Sequence, residues 1–197
     1  MDNPIRSFIA IDPPVILQPL LTQYTEGLRR EHTHGFRWVN PQLFHLTLKF
    51  LGEISIEKIR EVTQALERLA AKTKSFDLVL DRTGAFPTWQ SPRTIWIGSP
   101  QNKAMDDFYA ELESELASVG IPSDKRRFHA HLTLCRVAEY EKKGNIRLLE
   151  NKMKSLTIPE KLSWRVAEIN LYRSILSSQG PSYSIISSHK LQPSGKV

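Results

Sequence analysis

One short stretch occurs twice in this chain of 197 residues, and it restricts the fold more than any other feature. His45-Leu46-Thr47-Leu48 sits within Phe44 to Gly52. His131-Leu132-Thr133-Leu134 sits within Phe128 to Arg136. Apolar and polar residues alternate through both copies, as in a strand with one buried face. Alternation places Phe44, Leu46, Leu48 and Phe50 on one side of the first strand and His45, Thr47 and Lys49 on the other. In the second copy Phe128, Ala130, Leu132 and Leu134 oppose His129, His131 and Thr133. Each polar face then carries a His and a Thr about 6–7 Å apart. A single pair of this kind is ordinary in a strand. Two copies with matching flanks describe a duplicated unit whose motif strands face each other across a cleft.

Two imidazoles suit a reaction that removes one proton and delivers another near neutral pH, one ring neutral and one charged. Threonine hydroxyls can donate to anionic oxygens. Hydrolysis of a phosphodiester uses this set without a metal or other cofactor. A rival reading joins His129, His131 and His45 as zinc ligands. Against it, the first copy has Leu43 where the second has His129.

These residues give the chain its resemblance to the two-histidine phosphoesterases, in the branch of LigT-like RNA 2′,3′-cyclic phosphodiesterases, also called 2′–5′ RNA ligases. Arg6 to Asp12 resembles the family's first strand. Phe36-Arg37-Trp38-Val39 with Lys49-Phe50-Leu51-Gly52-Glu53 resembles its best-known block. Leu171-Tyr172-Arg173-Ser174 with Gly180, Pro181 and Tyr183 resembles its C-terminal signature. The likeness spans residues 1–197 as one domain of two pseudo-symmetric lobes. One departure is Ala130, where the family usually has proline before the second histidine; alanine leaves the backbone less stiff there but removes no chemical group.

The resemblance implies an α+β bilobal fold, two mainly antiparallel sheets flanking a central cleft with helices outside. It implies catalysis by His45 and His131 and substrate binding by Thr47, Thr133 and Arg136. Regular alternation points Arg136 away from the cleft, so a bulge or the strand end would be needed to bring it in. Phe8 is expected to stack on a base, as Trp38 could, with core packing the competing role for either. The implied substrate is RNA with a terminal 2′,3′-cyclic phosphate, opened to a 2′-phosphomonoester, with reversible 2′–5′ joining as a second activity. Two other readings stay open: a non-catalytic module for RNA ends or nucleotides, and a hydrolase of small cyclic nucleotides.

The net charge of +6 favours an anionic partner. Arg126 and Arg127 could steer a polyanion or be plain surface. Cys135 is the single cysteine, which excludes an intrachain disulfide and fits a reducing compartment. By alternation it could share the His131 face, but the first copy has no matching cysteine, and a bland strand residue is the better reading. Lys49 reads most safely as solvent-exposed. The chain begins without a signal-peptide pattern and has no apolar run near the roughly 20 residues that span a bilayer. A cytoplasmic location without membrane contact is the default expectation, and separately the chain is expected to be a monomer.

Helical spacing predicts helices from about Pro14 to Arg30, from Ser55 through Leu69, over 102–119 and over 145–156. Strands are expected at 6–12, near Trp38, at 43–51, 76–80, 94–98, 163–174 and 182–190. Gly84 to Pro92 reads as loop, and Gln192 to Val197 as a frayed end.

Overall fold

The computed structural model describes residues 3–99, 101–158, 162–178 and 180–194. In chain order the elements are β1 (Ile5–Ile11), α1 (Gln18–Glu31), β2 (Phe36–Trp38), β3 (Leu46–Ile54), α2 (Ile56–Lys72), β4 (Phe76–Val79), β5 (Arg82–Phe86), β6 (Thr94–Ser99), α3 (Lys103–Ser118), β7 (Ala130–Val137), α4 (Lys143–Ser155), β8 (Ser163–Val166), β9 (Glu168–Ser177) and β10 (Gly180–Lys190). Short 3₁₀ turns lead into α1 and β3.

Two four-stranded sheets carry the fold. Their orders are β10-β9-β1-β3 and β2-β7-β6-β5, and a small β4-β8 pair accompanies them. Every pairing between these strands is antiparallel. The expected α+β architecture of two antiparallel sheets with helices is therefore present. The halves of the chain do not map one-to-one onto the sheets. β2 joins the sheet of the second motif, and β9 and β10 join the sheet of the first. This exchange ties the sheets into one buried core, from Ile9 and Leu46 in one to Ile95 and Leu132 in the other.

The helices form where apolar residues recur at helical spacing, and local chemistry stops them. Ser55 caps α2 by accepting a hydrogen bond from the Lys58 amide, and Asn102 caps α3 by accepting from the Met105 amide. Ile59, Val62, Leu66 and Leu69 make the buried stripe of α2. Pro19 stands in the first turn of α1, where its missing N–H costs no helical bond, so the helix starts late rather than bending.

Three expectations change. The strand expected over 163–174 is two strands, β8 paired with β4 and β9 in the sheet of the first motif. Residues 84–86 belong to β5, paired with Trp96, Ile95 and Thr94, rather than to a loop. Gln192 is tied down: its N–H donates to the Thr73 carbonyl, and its own carbonyl accepts from the Ser75 amide. The remainder of the expected frayed end, 195–197, lies outside the described residues.

Candidate active site

The two motif strands meet where the sheets adjoin. β3 lies at the edge of its sheet, and β7 lies against it in the other. His45 stands just before β3 and His131 is the second residue of β7. Each Nδ1 lies within hydrogen-bond distance of the carbonyl oxygen two residues earlier, 2.9 Å to Leu43 and 2.7 Å to His129. A carbonyl only accepts, so each Nδ1 carries the proton. Both rings therefore present Nε2 as the free nitrogen, unprotonated in the neutral form and a donor when charged. No protein partner for either Nε2 is found among the described residues.

Both copies contain the same irregularity. Ala10 pairs with Thr47 and Ile9 with Lys49, so Leu48 is an extra residue in β3. Trp96 pairs with Thr133 and Ile95 with Cys135, so Leu134 is the extra residue in β7. Each bulge falls on the last leucine of the motif and inverts the alternation beyond it. Cross-strand partners share a face. Ala10 and Phe8 lie two apart on β1, so Thr47 and Phe50 lie on one face. Trp96 and Thr94 lie two apart on β6, so Thr133 and Arg136 do too.

The bulges settle several expectations. Arg136 turns to the histidine face by way of the bulge. Lys49 goes the other way. It is 3% exposed, bonded to Glu113 of α3 at 2.8 Å and to Asp124 at 3.1 Å, so the solvent-exposed reading of Lys49 is wrong. Cys135 points into the core beside Ile95, and burial pushes its thiol up to about 12. It is not placed to be a nucleophile. Trp38 pairs with Cys135 on the same core face and donates its indole N–H to the His32 carbonyl, so it stacks on nothing in the cleft. Phe50, expected in the core, is 67% exposed on the histidine face. Sequence reasoning missed this site residue because a bulge depends on the partner strand's register.

Phe8 is on the expected face but is buried. It stacks on Tyr172 at 5.0 Å, lies 4.9 Å from the His45 ring, and meets Tyr183 edge-on at 5.1 Å. No face remains for a base, and its contacts hold the His45 imidazole. On the opposite side Phe86 packs edge-on against His131 at 5.0 Å, and Trp96 lies at 6.1 Å. Glycine permits this packing. A Cβ at Gly98 would stand 2.3 Å from the Ala130 carbonyl, and one at Gly84 would stand 2.2 Å from the Trp96 ring.

The electrostatics of the two rings differ. Burial lowers the pKa of both. At His45 the hydrogen bond to Leu43 and the charge of Asp12 act upward and Arg136 acts downward. At His131 the bond to the His129 carbonyl acts upward, while the charges of His129 and His45 act downward. His45 thus has a carboxylate near it and His131 has only cations. That carboxylate is held in place. The Asn170 side-chain amide donates to Asp12 at 2.8 Å, the Tyr172 hydroxyl donates to the same oxygen, and the Ser188 hydroxyl donates to Asn170 Oδ1 at 2.6 Å. The motif strands adjoin, the charge of His45 acts on His131 and that of Arg136 acts on His45, so the three groups lie near one another.

Thr47 and Thr133 are half-buried on this face, and neither hydroxyl has a protein partner among the described residues. Two imidazoles, two hydroxyls and a guanidinium can together hold an anionic phosphorus centre and pass protons on either side of it. Arg126 and Arg127 are exposed on the segment leading to β7. Among the described residues no three His, Cys, Asp or Glu side chains converge to hold a metal ion, so the His129–His131–His45 zinc set is not assembled. No described helix is long and apolar enough to cross a membrane. A separate groove of about 660 Å³ runs along α1 between Val15 and Gln42 and includes neither motif histidine.

Comparison with known proteins gives a consistent answer. Residues 11–96 and 97–183 each match the family described as LigT like Phosphoesterase. The chain is 31% identical over 184 residues to the RNA 2′,3′-cyclic phosphodiesterase of Thermotoga maritima, covering 92% of this chain and 93% of that one. It is 32% identical over 182 residues to the protein of that name from Escherichia coli, covering 88% and 89%. The crystal structure of apo E. coli LigT superposes with a TM-score of 0.75 at 27% identity, over 97% of this chain and 99% of that one. The complex of E. coli LigT with 3′-AMP superposes with a TM-score of 0.73 at 28% identity, over 95% and 98%.

Proposed function

The chain belongs to the LigT-like phosphoesterase family, and from that membership we propose that it is an RNA 2′,3′-cyclic phosphodiesterase working by two-histidine acid–base catalysis. The observation that carries this reading is the matched pair of histidines on adjoining motif strands, each with Nδ1 fixed by a backbone carbonyl so that Nε2 is left free. Relatives named for this activity cover nearly the whole chain, which supports the same substrate class. We take residues 1–197 as a single domain, because strands of both sequence halves interleave in the two sheets.

In this reading the cyclic phosphate at an RNA 3′ end sits between the two motifs. Thr47 and Thr133 donate hydrogen bonds to its non-bridging oxygens, and Arg136 balances the charge that grows there. His131 Nε2 takes a proton from water as the water oxygen bonds to phosphorus. The bond from phosphorus to O3′ breaks, and His45 Nε2 delivers a proton to O3′. The products are a 2′-phosphomonoester and a free 3′ hydroxyl. The electrostatic contrast supports this division of labour. Asp12 favours the charged form of His45, whereas the cations around His131 favour its neutral form. Phe50 offers an exposed ring on the cleft face for a base. With a ribose hydroxyl in place of water, the reverse reaction would join RNA ends through a 2′–5′ linkage.

The test is product analysis on an oligonucleotide ending in a 2′,3′-cyclic phosphate. The expected product is the 2′-monophosphate, formed at the same rate with and without a chelator. Tight binding without turnover would favour a non-catalytic module, and loss of turnover on chelation would favour a metal mechanism.

A further inference from the structure

Beyond the motif residues, the histidine face carries a second cationic feature. Arg37 of β2 pairs directly with Arg136 of β7, and Thr94 of β6 pairs with Arg136 from the other side. Directly opposed residues share a face, so Arg37, Arg136 and Thr94 form one cross-strand row on the side that holds His131 and Thr133. Both arginines are exposed, and among the described residues neither has a hydrogen-bond or ion-pair partner. The acids that follow β7 are engaged elsewhere. Glu139 lies against Arg93 at 3.6 Å, and Glu141 accepts from Asn145 at 2.6 Å. Like charges placed directly opposite each other destabilise a sheet unless something anionic joins them.

The row is set back from the motif. Arg136 lies three residues beyond Thr133, and the bulge at Leu134 absorbs part of that distance. The rows are therefore about 7 Å apart along the strand, a spacing comparable to one nucleotide step. Arg136 is the centre of the row, with Thr94 on one side and Arg37 on the other, at the sheet edge.

We propose that Arg37, with Arg136 and Thr94, forms a second anion subsite that holds the internucleotide phosphate next to the terminal one. This rests on the reading of the site as one for RNA ends and deepens it: the preferred substrate is an oligonucleotide, not a mononucleotide. Arg37 is a specificity-determining residue that touches substrate away from the reacting atoms. A guanidinium suits this role because it presents parallel N–H donors to two phosphate oxygens at once.

The test is equilibrium binding of two probes, a nucleoside 3′-monophosphate and a dinucleotide carrying a 3′-phosphate, by calorimetry. Wild-type protein is expected to bind the dinucleotide at least about tenfold more tightly. In Arg37→Ala that advantage disappears while affinity for the nucleoside monophosphate stays within about twofold, and Arg37→Lys keeps part of it. The slope of log affinity against log salt for the dinucleotide falls by about 0.7, one phosphate contact to a single strand. Equal affinity of wild type for the two probes overturns the proposal. So does an Arg37→Ala variant that weakens both probes alike or neither. Binding is read without turnover, so a protein that binds as expected but does not hydrolyse cyclic phosphate refutes the reaction and leaves this subsite standing.

Discussion

Leu48 and Leu134 are structural counterparts: each is the unpaired residue of a β-bulge, one position beyond its motif threonine. The same one-residue insertion in both copies sends Lys49 and Cys135 into the core and turns Phe50 and Arg136 toward the histidines. The duplication therefore places a second functional position in each lobe beyond the His and the Thr. One lobe supplies an aromatic ring there and the other a cation.

Truncation of the exposed ring tests the first of these positions. Phe50→Ala is expected to raise KM for a cyclic-phosphate oligonucleotide by about 5- to 150-fold, the range for loss of one stacked base at about 1–3 kcal/mol. The turnover number should change little, because the ring is remote from the proton transfers. Unfolding midpoints should also change little, since Phe50 is 67% exposed. An unchanged KM would remove Phe50 from the binding surface.

Lys49 is the structural counterpart of Cys135, and its ammonium must be compensated. It is held by Glu113, itself 12% exposed, and by Asp124. Lys49→Ala leaves that carboxylate without its cation and is expected to cost about 3–5 kcal/mol in denaturant unfolding. Pairing it with Glu113→Gln, which also removes the negative charge, should recover part of the loss. Additive losses in the double variant would show that the two groups are not coupled.

Cys135 is fully buried, with its thiol pushed up to about 12. A thiol reagent at pH 8 should fail to label the native protein and label it fully once unfolded. Cys135→Ala should keep cyclic-phosphate turnover. Rapid labelling of the native protein would contradict the inward orientation that the bulge imposes.

Several of these placements could not be read from the sequence, for a common physical reason. The motif histidines and threonines were legible because identical residues recur with matching apolar flanks. The helices were legible from stripes such as Ile59, Val62, Leu66 and Leu69. A bulge leaves no such mark. It arises from the register of the partner strand, so strict alternation misplaced Lys49 and Phe50 and left Arg136 dependent on an irregularity it could not see. The partner of Lys49 lies 64 positions away on α3, and Phe8 is covered by Tyr172 and Tyr183 from the far end of the chain. β5 was hidden by its glycine, which is present because Trp96 lies across it.

The histidines make both stability and rate depend on pH. Burial lowers the pKa of His45 and His131 from 6.5 in the folded protein. The native state then binds fewer protons than the unfolded chain between the folded pKa values and 6.5. Stability contributed by the neutral rings is full above 6.5 and is lost as pH falls through that window. His45→Ala with His131→Ala should flatten this acid-side loss in unfolding titrations. The bell-shaped profile of kcat/KM, which reports the free enzyme, should centre below pH 6.5. That of kcat should lie higher, because the bound phosphate favours charged imidazole. A kcat/KM bell centred above neutrality would contradict the depressed pair.

The central claim is that one imidazole takes a proton and the other gives one across a single phosphate. Its most direct test is the turnover of His45→Ala and His131→Ala on an oligonucleotide ending in a 2′,3′-cyclic phosphate, with the fold of each variant checked by its melting transition. Each substitution should lower kcat by about 10²–10⁴-fold. Near-wild-type turnover in either variant, with the fold intact, would contradict the account.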